Sequence, residues 1–214
     1  MDSVEQKHSV GQNTPASPHP PGQGAEPTRR ERVLDAAIDL LGARGPRALT
    51  HRAVDEAAAV PVGTTSNYFR TREALLTGIT ERLEQRDYAD WSALTTAPLP
   101  DTVEQLAAGM ARFVGHAVTA DRTRTLARYA LFLEAQSAPA VLASLQRGHS
   151  RLSAWAGAML RAVGAGEWTT TPMVDYLEGL IMHRLISDEA ASDPAPQLHL
   201  MLRALLSASD DSSG

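Results

Sequence analysis

An all-α fold of about nine helices is what this 214-residue sequence predicts. Three observations carry that reading. Apolar residues recur three and four positions apart through most of the chain, the period of one helical face. Ser, Thr or Asp precedes these stripes at capping positions, and Gly or Pro closes them. No segment alternates apolar and polar residues as a half-buried strand would.

Residues 1–27 are rich in Pro, Gly, Ser and Gln and nearly free of large apolar side chains. They cannot bury enough surface to offset the entropy of ordering, so a disordered arm is expected. Order begins at Thr28, which has capping-box spacing with Glu31. Val33, Ala36, Ala37, Leu40 and Leu41 then share one helical face, and Gly42, Gly45 and Pro46 close the first helix. Thr50 is placed to cap a second helix over 51–58, with Val54, Ala57 and Ala58 inward. Val60 and Pro61 make a turn, and a third helix runs over about 62–69. Thr71 caps a fourth, whose buried side carries Leu75, Leu76, Ile79 and Leu83.

The segment TTAPLP (95–100) breaks the pattern. Asp101 and Glu104 repeat the capping-box spacing before a fifth stripe of Val103, Leu106, Ala107, Met110, Val114 and Ala117. A sixth helix over about 122–135 contains YALFL (129–133), apolar enough to be buried all round. A seventh, over 139–163, carries Leu142, Leu145, Leu152, Trp155, Met159 and Val163 before Gly164 and Gly166 stop it. Thr171 and Pro172 have the pattern of N-cap and first helical position for an eighth helix reaching about 187. Asp193 and Pro194 repeat that pattern for a ninth, with Leu198, Met201, Leu202 and Leu205 in phase. The polar tail 208–214 is expected to fray. The organisation is thus an arm (1–27), a three-helix unit with the start of a linking helix (28–79), a helical half (80–207) and the tail.

Composition narrows the function. There are no cysteines, which excludes disulfides, thiol catalysis and cysteine-ligated zinc. No apolar run reaches the ~18 residues of a membrane span, and the N-terminus lacks an apolar signal core, so a cytoplasmic protein is expected. The net charge of −5 is unevenly spread. Residues 28–86 hold ten Arg and eight acids, net +2, whereas 87–214 hold nine Arg and fourteen acids, net −5. The positive balance thus falls on the three-helix unit, as neutralisation of phosphates requires.

The stretch 49–76, LTHRAVDEAAAVPVGTTSNYFRTREALL, is the most informative part of the chain. Two short helices meet at a tight turn, and the second carries small polar residues where a core helix carries apolar ones. That suits a helix-turn-helix whose second helix enters the major groove of DNA. Val62 opens this segment. Gly63 lacks a side chain and lets the backbone approach DNA. Thr64 and Ser66 offer hydroxyls to phosphate or base edges, Asn67 has the donor–acceptor pair that reads adenine, and Thr65 can set its methyl against a thymine methyl or pack inward. Thr50, Tyr68 and Arg72 suit phosphate, which fixes register without reading sequence. His51 belongs to the same surface as a solvated residue, with phosphate contact as its second role.

At these residues the chain resembles the tetracycline-repressor-like (TetR) family of bacterial transcriptional regulators. The resemblance covers about 29–79. It rests on Val33, Ala37 and Leu41 of the first helix, on VGTT (62–65), on the aromatic pair Tyr68 and Phe69, and on TREALL (71–76). It implies that Arg52, on the second helix, reads a base. The sequence departs from the family pattern at Ala59, where a turn glycine is usual, and at Pro61, where a capping serine is common. It departs again at Ser66, in place of a tyrosine, and at Arg72, in place of a lysine. The resemblance also implies a homodimer through the last two helices, a near-palindromic operator, and a small-molecule effector that releases DNA by tilting the fourth helix.

The regulatory half is less specific. Met110, Phe113, Tyr129, Phe132, Trp155 and Met159 can line an apolar cavity between the fifth and eighth helices, with His183 as a polar fixer and Trp91 between the halves. The eighth helix is apolar on two sides, which calls for two partners. No nucleophile motif, phosphate-binding loop or metal-ligand spacing appears, so neither a cofactor, a metal nor an enzyme activity is expected. Two rivals remain. One is a helical enzyme or ligand carrier with a vestigial DNA module. The other is an adaptor that uses the basic face for an acidic protein.

Overall fold

Thr28 starts the first helix as its spacing with Glu31 predicts. Its hydroxyl accepts from the Glu31 N–H at 3.2 Å, and its own N–H donates to the Glu31 carboxylate at 2.8 Å. The resulting helix α1 spans Arg29–Arg44. It ends at Gly45, whose φ of +76° lies in the left-handed region that glycine tolerates. The computed structural model describes residues 26–95, 98–187 and 192–211, and its regular elements there are helices. The arm, apart from exposed Glu26 and Pro27, lies outside the described residues.

After a 3-10 turn at Pro46–Ala48 come α2 (His51–Ala57), α3 (Thr64–Tyr68) and the long α4 (Arg72–Thr95). Thr50 caps α2 through the Ala53 N–H at 3.2 Å, and the Thr71 hydroxyl accepts from the Ala74 N–H at 3.0 Å at the start of α4. α3 is shorter than the polar stretch predicted. Val62 is exposed in the turn before it, and Gly63, with φ +92°, is its N-cap.

The other half holds α5 (Val103–Val118), α6 (Arg122–Glu134), α7 (Pro139–Ala162), α8 (Thr170–Ile186) and α9 (Ala195–Asp211). Five sequence expectations need correction here. The α5 cap is Thr102, which accepts from the Gln105 N–H at 3.2 Å, rather than Asp101 with Glu104. Either residue has a capping side chain, and the extended backbone falls at Thr102. YALFL is not buried all round, because Leu133 is 79% exposed on the outer face of α6. On α7, Val141 is buried where Leu142 was expected. α8 begins at Thr170, after a 3-10 turn, so Pro172 sits in its first turn, where a missing N–H costs nothing. α9 also continues past Ser207 to Asp211.

Two apolar cores result. One gathers α1, α2 and α4, including fully buried Leu34, Ile38, Val54, Leu75 and Ile79, and takes in Phe69 after α3, Ala127 and Leu131 of α6 and Val141 of α7. The other gathers α5, α8 and α9 with Leu160 of α7. α6 serves both, because Leu126 and Tyr129 pack against the second core. Its contact with α1 is close. A Cβ on Gly42 would stand 2.0 Å from the Thr123 carbonyl oxygen, so only glycine lets these backbones meet.

Candidate nucleic-acid interface

At seven and five residues, α2 and α3 are below the length at which a helix is stable alone in water. Tertiary ties must hold them. Val54 anchors α2 in the first core. Beside it Asp55 is only 2% exposed, and its carboxylate receives three hydrogen bonds. The Gly63 N–H donates at 2.7 Å, the Thr65 N–H at 2.7 Å, and the Thr65 hydroxyl at 2.5 Å. Burial pushes this carboxyl's pKa up. The Thr65 and Gly63 hydrogen bonds, with His51 nearby, outweigh that and hold it below its ordinary 3.8, so the group is an anion. At the other end of α3, His51 Nε2 lies 2.7 Å from the Phe69 carbonyl oxygen, a bond its Nε2–H tautomer donates.

These ties fix which side of α3 faces out. Ser66, Asn67 and Tyr68 are exposed, and Thr64 is half-buried. The Ser66 hydroxyl donates to the Gly63 carbonyl at 2.9 Å and the Thr64 hydroxyl to the Pro61 carbonyl at 2.6 Å. Arg52 is exposed on α2, Thr50 is exposed at its cap, and Phe69 is buried below. The outer surface of α3 is therefore a short hydroxyl- and amide-bearing edge.

Two residues, Arg72 and His51, stand differently from expectation, and Thr65 takes the inward one of its two readings. Thr65 is fully buried, because its hydroxyl and amide are better satisfied by the Asp55 anion than by water, so its methyl does not face a groove. Arg72 turns inward. Its guanidinium donates to the Leu49 carbonyl at 3.0 Å, the Pro46 carbonyl at 3.2 Å and the Glu134 carboxylate at 3.1 Å, tying the start of α4 to α6. His51 is half-buried on Phe69 rather than solvated. Two residues of interest were not singled out from sequence. Asp55 was signalled only by being a charge beside the inward Val54. Arg70, exposed in the turn between α3 and α4, was signalled by its neighbourhood to the aromatic pair.

Beside its buried Leu75, Leu76, Ile79 and Leu83, the linking helix α4 is tied to its neighbours by charged pairs. Arg82 donates to both Asp35 oxygens at 2.9 Å and to Glu31 at 3.0 Å, both on α1. Glu84 meets Arg151 at 2.7 Å and Arg147 at 3.3 Å on α7, and Asp87 meets Arg128 of α6 at 2.8 Å. Burial raises the Glu84 pKa, but the hydrogen bond from Arg147 and the charge of Arg151 bring it below the ordinary value.

In the regulatory half, six of the named residues do gather. Met110 is buried in the second core, and Phe113, Tyr129 and Met159 pack against it half-buried. The Phe113 and Trp155 rings are 6.2 Å apart, and the Tyr129 and Phe132 rings meet edge-on at 5.6 Å. The Tyr129 hydroxyl donates to the Glu178 carbonyl at 3.3 Å, and burial, with the Glu178 charge, pushes its pKa up to about 12. His183 is not among them: it is exposed on the outer side of α8. The Trp91 side chain lies outside the described residues. Among the described residues no helix is long and apolar enough to cross a membrane.

Residues 33–79 match the family model of bacterial regulatory proteins, tetR family, and residues 101–208 match that of the tetracyclin repressor-like C-terminal domain. The chain belongs to the TetR family. It is a transcriptional regulator with a DNA-binding helix-turn-helix head and a ligand-binding C-terminal domain. Solved structures of similar fold include the multidrug binding protein EbrR complexed with imidazole. That structure is 29% identical with TM-score 0.61, over 85% of this chain and 96% of that one. EbrR complexed with ethidium is 27% identical with TM-score 0.64, over 84% and 99%. A TetR-family member from Streptomyces coelicolor A3, SCO1917, is 28% identical with TM-score 0.63, over 84% and 99%. No curated protein matches the chain.

Proposed function

We propose that this TetR-family chain is a cytoplasmic repressor that binds a near-palindromic operator as a homodimer and is released by a planar aromatic cation. The observation that carries the DNA part is the exposed edge of α3, Ser66, Asn67 and Tyr68, held outward by buried ties, with Arg52 free on α2. Asn67 and Arg52 read bases, while Thr50, Tyr68 and Arg70 take phosphates. Arg70 assumes the phosphate role expected of Arg72, whose guanidinium is engaged within the chain.

Dimerisation is supported by apolar side chains left uncovered on the last two helices. Met182 and Ile186 of α8 and Leu200 of α9 are exposed, and Ile186 is 81% so. A two-fold dimer would set two α3 helices about 34 Å apart, one turn of DNA. The effector class is supported by two aromatic pairs beside Met110 and Met159, by the acidic balance of residues 87–214, and by ethidium in the similar EbrR structure. Effector binding works through α4, whose ion pairs reach α1, α6 and α7. A coupling of about 1–3 kcal/mol gives ~5–150-fold release. This is binding chemistry and needs no catalytic step.

Fluorescence anisotropy with the DNA upstream of the chain's own gene tests it. Binding should weaken steeply with salt and be reversed by ethidium, and Arg52→Ala should lose about 1–3 kcal/mol of discrimination between operator and scrambled DNA. Equal affinity for both DNAs in the unmodified protein would sink the reading.

A further inference from the structure

We infer that Asp55 is a positioning residue for DNA reading: its buried carboxylate, rather than apolar packing, sets where α3 stands. This rests on the proposed DNA-binding reading. α3 lacks an apolar root of its own. It has five residues, too few to form without support, and its sole buried member is Thr65. No large apolar side chain therefore roots this helix. Phe69, the nearest one, follows its last turn and belongs to the core beneath.

The attachment is polar instead. Asp55 uses both carboxylate oxygens, one on the Gly63 N–H and the other on the amide and hydroxyl of Thr65. These are charge-assisted bonds in a water-excluded place, each stronger than a neutral one. They also hold Gly63 in its left-handed conformation, and that residue aims the whole of α3. With the two amides satisfied inward, Ser66 and Asn67 are turned out. A looser clasp would leave the reading edge correctly placed for only part of the time, and apparent affinity falls in proportion to that fraction.

Thr65 separates this from packing, because valine has its shape without the hydroxyl and serine has the hydroxyl without the methyl. Operator binding by anisotropy and amide hydrogen exchange at Gly63 and Thr65 are measured for the full chain and for Thr65→Val and Thr65→Ser. We expect Thr65→Ser to bind within about twofold of the unmodified chain. Thr65→Val should bind about tenfold more weakly, with faster exchange at both amides and faster dissociation. The three tryptophans, Trp91, Trp155 and Trp168, all fall within residues 80–207, so the fluorescence melt should be unchanged and will exclude general unfolding. If Thr65→Val binds like the unmodified chain while Thr65→Ser is weakened, packing places α3 and the assignment is wrong. Equal weakening of the two overturns it as well. If the unmodified chain binds no DNA, the functional reading fails, and exchange at the two amides still decides whether the carboxylate holds α3.

Discussion

The head and the regulatory half of this protein are held together by different physics. In α5, α8 and α9 long apolar stripes meet, and Leu106, Val114, Met173, Leu177, Leu198 and Leu202 are nearly all out of water. Such packing is spread over many contacts, and one imperfect fit is absorbed by its neighbours. In the head, α2 and α3 have almost no apolar surface to bury, so a few polar atoms with fixed directions do the positioning. Directional bonds place a reading edge to within tenths of an ångström, as base recognition demands, and they fail sharply when one member is lost. Under the proposed function the regulatory half deforms when it takes an effector, and dispersed apolar packing suits that task.

The harshest way to break this comparison is to strike the place where the halves touch. Gly42 of α1 lies on the backbone of Thr123 in α6. Gly42→Ala gains about 1 kcal/mol of helix propensity, but its Cβ overlaps a carbonyl that cannot step aside. The net loss should be about 2 kcal/mol, read as a lower urea midpoint. Release by effector should weaken too, since α1 and α6 can no longer move as one. An unchanged midpoint would mean that the two helices are not in rigid contact.

How much of this was legible in the sequence follows from the range of each interaction. The caps at Thr28, Thr50 and Thr71 were legible because each is closed within three residues by the cap's own side chain. The clasp was not, because Asp55 finds partners 8 and 10 residues on, and only once α3 has folded back. Arg72 was expected to meet phosphate for the same reason, being tied instead to Glu134 across 62 residues, and the choice between the groove-facing and inward readings of Thr65 was open until Asp55 was placed. Leu133 and Leu142 show the matching limit on apolar signals: composition marks a helix as buried, but only packing decides which of adjacent apolar residues goes inside. The aromatic residues of the regulatory half were identified as a group, yet their number alone does not distinguish a ligand site from a core.

Acid gives a gentler contrast between the regions. The carboxyls with lowered pKa that matter to the head are Asp55, held down by Thr65 and Gly63 against its burial, and Glu31, held down first by Thr28 and then by Arg82. A carboxyl whose folded pKa is depressed contributes stability above its unfolded pKa, and that contribution is lost as pH falls through the folded value. The head should therefore hold its stability above about pH 4.5 and lose it progressively below about 4. Head amides followed by hydrogen exchange should open before those of α8 and α9. Asp55→Asn, already weakened at neutral pH, should show a flatter decline. Simultaneous opening of both regions would remove the distinction between polar and apolar attachment.

The smallest effect is expected in the turn between α2 and α3. Among the described residues Ala59 alone, other than glycines, has a positive φ, of 51°. A side chain in that left-handed region costs roughly 1–2 kcal/mol. The turn is nevertheless formed, because the Val60 N–H donates to the Asp55 carbonyl at 3.0 Å and the clasp closes the far side. Ala59→Gly removes the strain but adds freedom to the unfolded chain worth about 0.5–1 kcal/mol. The balance should be a gain of about 0.5 kcal/mol, or roughly 1–2 °C in Tm for a chain of this size. Because the clasp already dictates where α3 stands, operator affinity should not change. A rise in affinity along with Tm would mean that the turn, and not Asp55, limits how well the reading edge is placed.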